Sequence, residues 1–193
     1  MLDIKRVICG AYQENAYIVG GDIIIDPGDD LEALLMEAPN PRAILLTHGH
    51  FDHMLAAGEI QKKFGVPVYI HEQDGAMLGD AEAAAYDAYA AHLPMPRDIK
   101  WQRYEDGIFG FKVLHTPGHT RGSVCLYNEA EGLLFSGDTL FCAGYGRTDL
   151  PGGNMREMAD SLIGLMALPG NTRVLPGHGS ETTIGNECRR YGR

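Results

Sequence analysis

The 193-residue sequence predicts an α+β fold, two β-sheets covered on their outer faces by helices. Three observations carry that expectation. Strand-like runs crowd two halves of the chain, with helix patterns interleaved in each. Four apolar runs end in turns that carry histidine or aspartate, and strand ends gathered at a sheet edge make a rigid site. Hydrophobic residues make up 45% and charged residues 22%, ordinary values for a domain with a sizeable core.

The elements follow in order. Arg6-Val7-Ile8, Ala16–Val19 and Asp22–Ile25 read as short strands, with Gly20-Gly21 as the hairpin signal between the last two. Asp29 is placed to cap a helix running through Met36: Glu32 follows three residues on, and Leu31, Leu34 and Leu35 share a face. Asn40-Pro41 breaks that helix, and Ala43–Thr47 is the next strand. His53–Phe64 reads as a helix with Ala56, Ile60 and Phe64 at spacings of four, stopped by Gly65. Val66–Ile70 is β-rich. Within residues 72–98, Ala81–Ala91 is alanine-rich, with Tyr86 and Tyr89 three apart, before Leu93-Pro94-Met95-Pro96. A surface helix and a lid or oligomer contact both fit that stretch. Phe111–Leu114, Leu133–Phe135 and Arg173–Leu175 are strand-like. Asn154 with Glu157 caps a helix whose Met158, Leu162, Leu165 and Met166 form a core stripe, ending near Pro169-Gly170.

The chemistry concentrates in Thr47-His48-Gly49-His50-Phe51-Asp52-His53, directly behind Ala43-Ile44-Leu45-Leu46. An extended backbone sends side chains i and i+2 the same way, so His48 and His50 can grip one ion together. Asp52 and His53 follow where the strand gives way, and can turn toward a second ion. Thr116-Pro117-Gly118-His119-Thr120, Ser136-Gly137-Asp138-Thr139 and Pro176-Gly177-His178-Gly179 each add one more donor behind an apolar run. Imidazole and carboxylate suit zinc, iron and manganese. His71, His92 and His115 read as structural or exposed, His115 with a possible supporting place behind a ligand.

The motifs from Ile25-Asp26-Pro27-Gly28 to Pro176-Gly177-His178-Gly179 resemble those of metallo-β-lactamase-fold hydrolases. They are most similar to the glyoxalase II (hydroxyacylglutathione hydrolase) branch in a single-domain form. The resemblance implies an αββα sandwich of two mixed β-sheets flanked by helices, built as one domain over residues 1–193. It implies two divalent metal ions, zinc first, with iron or manganese as alternatives. His48, His50 and His119 would hold one ion, Asp52, His53 and His178 the other, with Asp138 bridging and Asp26 supporting a ligand histidine from behind. The implied reaction is hydrolysis of a thioester by a metal-activated hydroxide, with Asp52 as the catalytic residue that orients it and relays its proton. In Phe141–Asp149 the same resemblance assigns Tyr145 and Arg147 to substrate binding. Arg147 matches a family lysine, whereas Asp149 stands where the family has a tyrosine. Only residues 179–193 follow His178, so the helical C-terminal domain that completes the family's glutathione pocket is expected to be absent.

Charge and composition narrow the partners. A formal net charge of −10 argues against nucleic-acid or anionic-membrane surfaces. Met1–Arg6 has no apolar signal-like stretch, and no run approaches the length of a membrane span, so a cytoplasmic protein acting on a small molecule is expected. The oligomeric state stays open. Cys9, Cys125, Cys142 and Cys188 are scattered and read as free thiols. Competing chemistries use the same donors: a persulfide dioxygenase with one iron on His48, His119 and Asp138, or a lactonase or β-lactamase-like hydrolase on the dinuclear centre. A nuclease is disfavoured by length and charge. A non-enzymatic metal-binding or docking protein is disfavoured because structural sites are normally closed and mononuclear.

Overall fold

β1 (Ile4–Cys9), β2 (Glu14–Val19) and β3 (Ile23–Ile25) form an antiparallel meander, turned between β2 and β3 by Gly20 and Gly21 at φ of 63° and 79°. Such positive φ values are where glycine carries no steric cost. The computed structural model describes residues 2–80, 84, 98–105 and 107–192. The surface-helix or lid reading of 81–91 and 93–96, and His92, therefore lies outside the described residues, Ala84 excepted.

Among the described residues the chain forms two compact units, Met1–Arg103 and Tyr104–Arg193. In the first, α1 (Leu31–Glu37) leads from β3 to β4 (Ala43–Leu45), and α2 (Ala57–Phe64) from β4 to β5 (Val68–Tyr69). β6 (Trp101–Gln102) completes a six-stranded sheet in chain order, parallel from β3 onward. Every residue of β3 and β4 is buried, the pattern of strands covered on both faces. Leu34 of α1 and Ile60 of α2 share one core with Ile24, Ile44 and Val68.

Two helix starts differ from the sequence expectation. Asp30, not Asp29, caps α1, its Oδ1 accepting from the Ala33 N–H at 3.1 Å. α2 begins at Ala57 rather than His53, because residues 51–53 close a tight 3-10 turn with Asp52 and His53 buried. Its end matches: Gly65 takes the left-handed conformation at φ 69°.

The second unit carries β7 (Lys112–His115), β8 (Val124–Asn128), β9 (Leu133–Gly137), the short hairpin β10 (Leu140–Phe141) and β11 (Gly144–Tyr145), then α3 (Met155–Leu165). β12 (Arg173–Pro176), β13 (Thr182–Thr183) and α4 (Ile184–Arg190) complete it. Its sheet runs in the order β13-β12-β9-β8-β7, with β12 parallel to β9 and the other pairs antiparallel. Asn154 caps α3 by accepting from the Arg156 and Glu157 N–H groups, and buries Met158, Ser161 and Leu165. β8 and α4 have no counterpart in the sequence reading. α4 starts Ile-Gly-Asn, a poor helix opening, and is held by the Thr183 cap and the fully buried Glu187, which accepts from Thr182 Oγ1 at 2.6 Å and the Ala143 N–H at 3.0 Å.

Strand direction positions the chemistry. β3, β4 and β5 run parallel, so Asp26, the 47–53 segment and Asp74 all leave their carboxyl ends. β8 is antiparallel to both β7 and β9, so β7, β9 and β12 share a direction. His119, Asp138 and His178 follow the carboxyl ends of those three strands. The crevice beyond the carboxyl ends of co-directional strands is where open α/β sheets bind ligands.

Candidate metal centre

In the first unit the candidate donors gather around Asp26. That aspartate sits just past β3 at φ 50°, a left-handed conformation that costs a non-glycine residue on the order of 1–3 kcal/mol. The strain is offset by three contacts. The Thr47 N–H and hydroxyl donate to its two carboxylate oxygens at 2.7 Å each, and its Oδ2 lies 3.1 Å from His53 Nδ1. A carboxylate only accepts, so His53 carries its proton on Nδ1 and presents Nε2 as a bare donor atom.

The same logic reaches His48. Thr47 has one hydroxyl proton, and that proton is given to Asp26. The 3.1 Å contact between Thr47 Oγ1 and His48 Nδ1 is therefore donated by the imidazole, which leaves His48 Nε2 unprotonated and able to serve as a ligand atom. The rings of His48 and His50 lie 4.9 Å apart at 88°, and those of His48 and His53 lie 4.2 Å apart. Asp52 Oδ2 is 3.8 Å from His53 Nε2. One donor atom each from Asp26, His48 and His53 falls within 4.8 Å of the others. All of these side chains are buried.

His48 and His50 meet by a different route from the one expected. β4 ends at Leu45, and Thr47 and His48 lie in a bend rather than a straight strand. Asp74 Oδ2 accepts from the Gly49 N–H at 3.1 Å and braces that bend. Gly49 has to be glycine, since a Cβ there would sit 2.7 Å from the Met77 Cβ.

In the second unit Asp138 lies between two histidines: its Oδ2 is 3.5 Å from His119 Nε2 and 3.7 Å from His178 Nε2. His119 Nδ1 is 2.8 Å from the Arg147 carbonyl, which only accepts, so this ring too presents Nε2. The Thr116 and Thr139 hydroxyls, 3.0 Å apart, tie the His119 turn to the Asp138 turn. The 139–149 segment lies so close that a Cβ on Gly146 would come within 1.9 Å of the Asp138 carbonyl oxygen. The His178 ring stands edge-on to Phe141 at 6.2 Å.

Of the two proposed substrate residues, Tyr145 is exposed, and the Arg147 guanidinium is already engaged. It forks onto Asp149 at 2.8 and 2.7 Å, and this hydrogen bonding holds the Asp149 carboxyl down to about 2. His115 is structural, its Nε2 donating to the Arg121 carbonyl at 2.9 Å, and His71 Nδ1 accepts from the Gln73 N–H.

Several supporting groups escape sequence reasoning: Thr47, Asp74, Thr116 and the Arg147 carbonyl. Only Thr47 carries a signal, a hydroxyl directly before a candidate ligand. The donor set fits divalent ions of the zinc, iron and manganese kind: imidazole nitrogens with the opposite nitrogen tied down, plus carboxylates.

The chain belongs to the metallo-beta-lactamase superfamily, whose model matches residues 9–178. Its two mixed sheets with flanking helices are the fold of that class, a superfamily of metallo-hydrolases. The hydroxyacylglutathione hydrolase GloC of Haemophilus influenzae is 32% identical over 203 residues, 97% of this chain and 96% of GloC. Among solved structures, TTHA1623 in a di-iron-bound form is 42% identical with a TM-score of 0.87, covering 96% of this chain and 97% of that one. The BLEG-1 B3 metallo-beta-lactamase is 38% identical with a TM-score of 0.85, covering 97% of each. No helix among the described residues is long and apolar enough to cross a membrane.

Proposed function

We propose that this chain is a glyoxalase II-like thioester hydrolase that works with two divalent metal ions. The similarity to GloC over nearly its whole length carries the thioester assignment, and the di-iron form of TTHA1623 supports a paired centre. In this reading His48, His50 and His119 hold one ion, Asp52, His53 and His178 the other, and Asp138 serves both. Zinc is the first expectation; iron and manganese suit the same donors. When bound, the ions supply a water acidified toward neutral pH and a Lewis acid for the thioester carbonyl.

The chain's own groups do the rest. Asp52 orients the attacking water and takes its proton as the new C–O bond forms. The C–S bond breaks, the departing thiolate receives that proton from Asp52 and leaves as the thiol, and the acyl group departs as a carboxylic acid. Asp26, Thr47 and the Arg147 carbonyl keep the ligand imidazoles in the tautomer that offers Nε2. Tyr145 and Arg147 meet the substrate. The substrate is a small molecule handled in the cytoplasm, with neither nucleic acid nor membrane as partner.

A second reading, hydrolysis of a β-lactam on the same centre, is favoured by the 38% identity to BLEG-1. Elemental analysis of the purified protein, joined to assays on a hydroxyacyl thioester and a β-lactam, separates the readings. Two ions per chain and thiol release are expected, and Asp138→Ala is expected to lower metal content and hydrolysis together. Faster β-lactam turnover moves the second reading to first place. One iron per chain with oxygen uptake on a persulfide replaces both with the dioxygenase.

A further inference from the structure

We propose that Glu14 is a positioning residue for His53, a second carboxylate behind that imidazole which sets how tightly the neighbouring ion is held. The inference rests on the dinuclear reading above. Glu14 opens β2 and is fully buried, an unusual place for a glutamate. Its Oε1 lies 3.7 Å from His53 Nδ1, the same nitrogen that meets Asp26 Oδ2 at 3.1 Å. The Nδ1–H of His53 thus faces two carboxylates, one as hydrogen-bond acceptor and one as a close charge.

A close-packed turn leaves room for this glutamate. The β1–β2 register sets Glu14 opposite Cys9, and the Asp26-Pro27-Gly28 turn passes over both. A Cβ on Gly28 would lie 2.7 Å from Glu14 Oε2 and 2.5 Å from the Cys9 Cβ. Gly28 therefore leaves the space that lets the carboxylate reach His53. Negative charge behind a ligand histidine draws its Nδ1 proton outward and enriches Nε2, making the ring a stronger donor to a cation. Asp26 does this through a hydrogen bond and Glu14 through its field in a buried setting, where charges are weakly screened.

The test uses metal-stripped full-length protein titrated with cobalt(II), read by the binding isotherm and the visible absorption of the bound ion. Wild type is expected to take up two ions. Glu14→Gln, which keeps the shape and removes the charge, is expected to weaken one of the two roughly ten- to a hundred-fold and leave the other unchanged. Glu14→Asp, which keeps the charge but withdraws it, should fall between. Thermal unfolding of the metal-free variants separates a general loss of stability, which would not single out one ion. Two-ion binding of wild-type affinity in both variants overturns the role of Glu14. Uptake of a single ion by wild type overturns the dinuclear reading itself, a different observation made on a different protein.

Discussion

Arg147 acts through two different atoms. Its carbonyl fixes the tautomer of His119, and its guanidinium is clasped by Asp149, an exposed pair whose own stabilisation is small because both charges are solvated. The carbonyl survives any side-chain substitution, so Arg147→Ala isolates the guanidinium. The expected outcome is a KM raised several-fold for anionic thioesters and little changed for neutral ones, with kcat preserved. Equal increases for both substrate types would mark the side chain as a brace for the loop. The expectation that Arg147 is a cation for substrate rests on its match to a family lysine, and it is open to sequence inspection because charge belongs to the residue. Its carbonyl bond to His119 is not, since any residue offers a carbonyl and only the path of the 139–149 segment aims this one.

At the level of elements, the candidate donors of the second unit sit on turns that leave the co-directional strands β7, β9 and β12, and one of these turns is held by a helix. The Pro117-Gly118-His119 turn rests on α3: the Gly118 carbonyl accepts from the Asn154 N–H at 2.8 Å, and Ser161 Oγ donates to the Pro117 carbonyl at 2.7 Å. Gly118 has φ 139°, and a Cβ there would come within 2.4 Å of the Met158 backbone. Gly118→Ala is therefore expected to destabilise the protein by about 2–3 kcal/mol through forced overpacking. It should also reduce metal content by displacing His119. A urea midpoint and metal stoichiometry equal to wild type would refute this account. The helix that supplies the seat was legible from the Asn154 cap and the apolar stripe after it. Contact between that helix and the His119 turn was not, because Gly118 and Met158 are brought together only when the chain returns through α3.

Across the whole molecule, the thiols report how completely the cores exclude water. Burial, with the Glu14 charge adding to it, pushes the Cys9 thiol up to about 12, and burial pushes Cys125 up to about 11, from an ordinary 9.0. Folded thiols thus keep protons that the unfolded chain releases above about pH 9, so their contribution is complete below that pH and is lost as pH rises. The urea midpoint is expected to fall above about pH 9 at up to about 1.4 kcal/mol per pH unit for each thiol, and Cys125→Ala should flatten the fall. An unchanged slope in that variant would remove Cys125 from the cause. What the sequence determined by itself is the class, through the resemblance its motifs carry, and a set of candidate donors. Apolar runs ending in His48, His50, Asp138 and their companions mark strand ends and candidate ligands at once, because period, turn chemistry and donor type are local properties. What only the tertiary structure decided is the support behind those donors: the reach of Glu14 past Gly28, the proton chain from His48 through Thr47 to Asp26, and the aim of the Arg147 carbonyl. Those depend on strand register and on close approach between segments far apart in sequence, which no local pattern encodes.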